Sequence, residues 1–169
     1  MKYFVVTKAA LCCVALSFTS ASLAHITLEQ SSAPADSDYK AVFRVGHGCD
    51  ASPVESIQVT IPAGVTNAKP MPKAGWKQRS ATSASGATTI TWTGGPLADS
   101  DYDEFVMRVK LPNAAQTLYF PVTQTCTVGS TAWDQTPSVP PLPGEKLKRP
   151  AAELKVTPAG ISTGGHAGH

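Results

Sequence analysis

The chain has 169 residues, is 42% hydrophobic and 15% charged, and carries 14 Lys+Arg against 12 Asp+Glu for a formal charge of +2. That length accommodates one domain and a tail, and so small a charge supplies no basic face of the kind that binds nucleic acid by releasing several counterions at once. Lys2 and Lys8 both fall within the first 24 residues, so the remainder holds 12 charges of each sign, is formally neutral, and is poorly suited to steering anionic substrates.

At the amino-terminal end, Lys2 and Lys8 precede or flank an apolar stretch from Ala9 to Phe18, and Ser22-Leu23-Ala24 offers small residues at a cleavage site. This pattern predicts a secretory signal peptide over 1–24, with cleavage before His25. Thr19-Ser20-Ala21 allows a cut three residues earlier, and Cys12 or Cys13 comes too early for a full apolar region to precede a lipidated cysteine. The apolar stretch falls short of the roughly 20 residues that span a bilayer, so no transmembrane segment is expected, and the location implied is the periplasm.

Removal of Cys12 and Cys13 with the signal leaves Cys49 and Cys126, which in an oxidising compartment have one possible intramolecular pairing. The alternative, a pair of soft copper or zinc thiolate ligands, lacks the close spacing usual in such sites.

Strand signals then follow in order. His25 to Gln30, Tyr39 to Val45 and Ile57 to Ile61 alternate apolar and polar residues, Thr88 to Thr93 is rich in β-branched residues and Trp, and Phe105, Met107, Val109 and Leu111 form an apolar row broken by Arg108 and Lys110. Breakers separate them at Gly46-His47-Gly48, Pro62-Ala63-Gly64, Lys73-Ala74-Gly75, Gly94-Gly95-Pro96 and Leu111-Pro112-Asn113. Short strands at such intervals predict an all-β sandwich of immunoglobulin or cupredoxin type. Five prolines between Pro137 and Pro150 predict an extended edge or linker, with one more short strand at Ala152 to Thr157. The expected organisation is a domain over 25–158, with a core over 25–136 and a Pro-rich extension over 137–158, then a mobile Gly/His tail over 159–169.

As a first residue, His25 would carry a free α-amine beside its own imidazole. The amine and Nδ1 can close a six-membered chelate on one metal ion, a nitrogen set that suits Cu(II). No Ser/His/Asp grouping, Cys-x-x-Cys, Gly-rich phosphate cradle or His-Glu-x-x-His offers a rival chemistry, and no acid/base pair stands out.

The ordered set His25-Ile26-Thr27-Leu28, Tyr39 to Val45, Ile57 to Pro62, Lys69-Pro70-Met71-Pro72-Lys73-Ala74-Gly75-Trp76, Thr91-Trp92, Asp103-Glu104-Phe105 and Cys126 through Trp133 resembles the YcnI-like copper-binding domains of exported bacterial proteins. The resemblance implies a β-sandwich holding one Cu(II) by a monohistidine brace, made of the amine and imidazole of His25, an acidic ligand and a nearby Trp. Trp133, seven residues after Cys126, is the candidate for that Trp. Where many relatives place a Glu, this chain has Gly48, so the ligand candidates in the same loop are His47 and Asp50, with Glu29 and Glu104 more distant. Met71 is read as part of a rigid loop.

His166 and His169 in the Gly-rich tail are candidates for auxiliary copper capture. The function expected is copper homeostasis, trafficking or delivery by a protein that is not an enzyme, with a copper importer or copper chaperone as the partner. A copper monooxygenase-like enzyme acting on polysaccharide and a metal-free structural or adhesion sandwich are the competing readings.

Overall fold

The computed structural model describes residues 25–140 and 142–159. The predicted signal segment and the tail histidines His166 and His169 lie outside them. Twelve strands form among the described residues: β1 Thr27–Leu28, β2 Ser32–Pro34, β3 Asp38–Val45, β4 Val54–Thr60, β5 Thr66–Pro70, β6 Trp76–Thr82, β7 Thr88–Leu97, β8 Asp103–Lys110, β9 Gln116–Phe120, β10 Val122–Cys126, β11 Ser130–Trp133 and β12 Ala152–Thr157. They assemble into a four-stranded sheet ordered β1-β3-β8-β5, a five-stranded sheet ordered β11-β10-β4-β7-β6, and a three-stranded sheet ordered β2-β12-β9.

Alternation dictates how these sheets pack. On β3, Tyr39, Ala41, Phe43 and Val45 are buried, and antiparallel pairing sets them across from Val109, Met107, Phe105 and Asp103 of β8. Partners across an antiparallel ladder share a face, so the apolar rows of the two strands merge into one inward surface. On the five-stranded sheet, Ile57 and Val59 of β4 lie opposite Trp92 and Ile90 of β7, and all four are fully buried.

Aromatic side chains join the layers. Phe105 meets Trp76 edge to face at 4.8 Å between ring centres and Trp92 at 5.7 Å, while Phe43 meets Phe120 of β9 at 5.8 Å. Such pairs contribute about 0.5 to 1.5 kcal/mol each beyond the area they bury. The result is the predicted all-β sandwich, closed by a disulfide between Cys49 and Cys126.

One segment differs from its sequence signal, and one predicted strand, Ala152–Thr157, takes a central place. Gly94-Gly95-Pro96, read as a turn, lies inside β7. Gly94 has φ 152, and a Cβ there would stand 2.2 Å from the Gly75 carbonyl oxygen, so glycine lets β7 continue past the start of β6 instead of ending there. The strand after the Pro-rich stretch is central to its sheet: β12 runs between β2, in parallel, and β9, antiparallel, with Leu154 fully buried and Val156 nearly so. The strand completes the core through Ala152, Leu154 and Val156.

Candidate metal centre

The position of His25 follows from strand register. Thr27 pairs with Arg44 and Leu28 with Phe43, and the Glu29 amide donates to the Val42 carbonyl at 3.0 Å. Continuing that antiparallel register back by two residues sets His25 beside Gly46, at the start of the loop that carries His47. Two imidazoles 22 residues apart in the chain are therefore carried to the same end of the four-stranded sheet.

Trp133 packs against both. Its indole lies 5.7 Å from the His25 ring at an interplanar angle of 63°, and 6.3 Å from the His47 ring at 72°, both edge-type contacts. The indole is buried, and its Nε1–H donates to Oε1 of Gln124 at 3.0 Å. The Gln124 amide in turn donates from Nε2 to the His47 carbonyl oxygen at 2.6 Å.

The loop is held from both sides. The Gly48 amide donates to Oδ1 of Asp99 at 2.8 Å, and Nδ1 of His47 is close to the Gly48 carbonyl oxygen. A Cβ on Gly48 would fall 1.8 Å from the Ser52 carbonyl oxygen, so no other residue fits this path. Beyond it, Cys49 and Ser52 exchange backbone hydrogen bonds at 3.1 and 2.9 Å around Asp50 and Ala51, both with positive φ, 47 and 66 respectively. This is the geometry of a type I′ turn, and an Asp tolerates its first central position well.

Each residue singled out in the sequence can now be placed. His25, His47 and Trp133 come together, and the disulfide fastens the His47 loop to β10. Asp50 is exposed at the tip of the tight turn and does not join the two histidines in a ligand group; among the described residues no set of three or more His, Cys, Asp or Glu is placed to hold an ion. Glu29 faces Arg44 at 3.5 Å, and Glu104 accepts from the Tyr102 hydroxyl at 2.7 Å. Met71 is half exposed beside a separate apolar groove lined by Tyr39, Lys40, Lys69, Val106 and Arg108.

The nitrogen-bearing side chains brought to this end of the sheet are the imidazoles of His25 and His47. His25 is half-buried, yet its Nε2 is shielded and has no hydrogen-bond partner. A buried nitrogen left in that state costs about 1 to 3 kcal/mol. An imidazole that binds metal through Nδ1 keeps its proton on Nε2, and that N–H has no protein acceptor here. A shallow pocket opens beside this residue between Thr27, Ser31 and the 150–153 segment that leads into β12. Imidazole donors would suit a copper ion better than an oxygen-preferring one.

The family model described as a domain of unknown function, DUF1775, matches residues 25–156. This chain belongs to the DUF1775 family. The match begins at His25, the residue on which the centre is built, and ends within β12. A solved structure of an uncharacterized protein from Nocardia farcinica, described as having an immunoglobulin-like fold, is similar to the DUF1775 domain at 27% identity, with a TM-score of 0.67 over 80% of this chain and 99% of that one. The comparison with curated proteins finds no match.

Two residues of the DUF1775 domain's centre carry no conspicuous sequence signal. Asp99 sits in an acidic, turn-like run, Asp99-Ser100-Asp101, of the type that normally faces water. Gln124 is more telling in retrospect, because Val122, Gln124 and Cys126 alternate as the buried face of a strand and a polar residue in such a row must have partners inside.

Proposed function

We propose that this DUF1775 domain is an exported, periplasmic copper-binding protein, a member of the YcnI-like group within the family, that holds Cu(II) through the amine and imidazole of His25 after signal cleavage. His47 is the second imidazole of the centre, and Trp133 is the indole wall against which both rings pack. The protein is not an enzyme in this reading. It stores, moves or hands over the ion, with a copper importer or copper chaperone as receiver.

The observation that carries the reading is that the His25 and His47 rings both lie against one buried indole. A centre at the end of a strand and beside a surface pocket suits transfer, because an incoming ligand can replace the donors one at a time. Trp133 limits water on one side of the ion and offers a cation–π contact of about 0.5 to 2 kcal/mol. His166 and His169 would raise the local copper concentration from the tail.

Titrating the metal-free protein that starts at His25 with Cu(II), while following Trp fluorescence and electron paramagnetic resonance, tests this. One saturable site with nitrogen hyperfine structure and quenching of indole emission is expected. Absence of saturable binding would leave a metal-free sandwich. Oxygen-dependent release of soluble oligosaccharide from chitin or cellulose would assign an enzyme instead.

A further inference from the structure

Gln124 is the most deeply buried polar side chain near the centre, with 1% of its surface exposed, and it makes two hydrogen bonds to the residues that flank the site. The neutral amide does both at once: the oxygen accepts from the Trp133 indole while the nitrogen donates to the His47 carbonyl. An apolar side chain would orphan a buried indole N–H and a part-buried carbonyl, and a carboxylate could not donate to the carbonyl.

The strand that carries Gln124 explains why it can reach both. Val122, Gln124 and Cys126 share the inward face of β10; Trp133 of β11 pairs with Val122, one step along that face from Gln124, and Cys126 is bonded to Cys49, two residues beyond His47. The His47 loop is therefore clamped to β10 on either side of Gly48, covalently at Cys49 and by the Gln124 amide at His47.

We propose that Gln124 is the positioning residue of the copper centre, fixing the Trp133 indole and the His47 backbone in one mutual arrangement and thereby setting the affinity and ligand geometry of a site it does not itself touch. This inference rests on the copper reading above. Outer-shell partners of metal ligands act in this way elsewhere, and their loss typically weakens metal binding by about 10- to 100-fold.

Gln124→Met, which keeps length and removes both bonds, is the direct test, with Gln124→Asn as the second variant, since its shorter amide cannot span both groups. In the metal-free state, the Trp133 indole N–H signal, identified by its loss in Trp133→Phe, should exchange slowly with solvent in the parent and quickly in Gln124→Met. Cu(II) affinity should fall about 10- to 100-fold in Gln124→Met, and the paramagnetic resonance spectrum should shift in both variants, which a purely structural loss would not produce in the folded fraction. Should Gln124→Met fail to fold, Gln124→Asn carries the same comparison. Unchanged affinity and spectrum in a folded variant, beside a parent that binds copper, would overturn the inference; a fast-exchanging indole in the parent would do so too. A parent that binds no copper overturns the functional reading, and the inference falls with it, for a cause visible in the parent alone.

Discussion

Gly48 determines much about the centre by what it forbids. The carboxylate that the resemblance leads one to expect at this point has no room, because any Cβ would collide with the Ser52 carbonyl. Its neighbour His47 faces the same indole as His25. Tyr39 illustrates a second kind of constraint: its hydroxyl donates to the Gln30 carbonyl at 2.6 Å, and burial, with the Glu29 charge adding to it, pushes its pKa up to about 12 from an ordinary 10. The folded state thus holds this proton after the unfolded chain has lost it. Its contribution is complete below pH about 10 and is lost as pH rises toward about 12. Urea denaturation should show stability falling over that window in the parent, and a shallower fall in Tyr39→Phe, which should cost about 1 kcal/mol near neutral pH for the missing hydrogen bond. An equal alkaline slope in both proteins would contradict the assignment. At this scale the sequence displayed the chemically distinctive residues, His25, His47, Trp133 and the cysteine pair. It concealed Gln124 and Asp99, whose roles come from partners 77 and 51 positions away.

Among elements, legibility follows burial. The strands Asp38–Val45, Val54–Thr60 and Asp103–Lys110 alternate because one face of each meets the core; the first and last stand close to where the alternation predicts, and the second starts three residues before the predicted Ile57. β5 and β6 are edge strands of their sheets with mostly exposed or half-exposed side chains, so no apolar row marks them. β10 is short and carries Gln124 in its inward row, which blurs the pattern that defines it. The link between elements that matters most is the Cys49–Cys126 bond, which spans 77 residues. Closing a loop of that length stabilises the fold by up to about 4 to 5 kcal/mol in the chain-entropy model. Replacing both cysteines by serine should lower stability by about 2 to 5 kcal/mol in urea unfolding, and should weaken copper binding in the fraction that remains folded, because His47 loses its covalent clamp. A double variant as stable as the parent would show that the rest of the core holds this loop unaided.

At the scale of the molecule, the sandwich gathers three separated stretches at one end: the start of β1, the loop after β3, and the end of β11 braced by β10. Sheet register brings the first two together, and the disulfide and the Gln124 amide bring in the third. None of this needs a charged partner surface, in keeping with a chain whose charges balance beyond residue 24. The functional account depends on His25 becoming the first residue, since only then do amine and imidazole close a chelate on one ion. Comparing Cu(II) affinity and paramagnetic resonance for the protein that starts at His25 and the same protein with one glycine ahead of it tests this most directly. The account predicts a tight, nitrogen-ligated site that is lost or greatly weakened by the added glycine, with unchanged thermal unfolding of the metal-free fold. Equal affinity and identical spectra in the two proteins would contradict it.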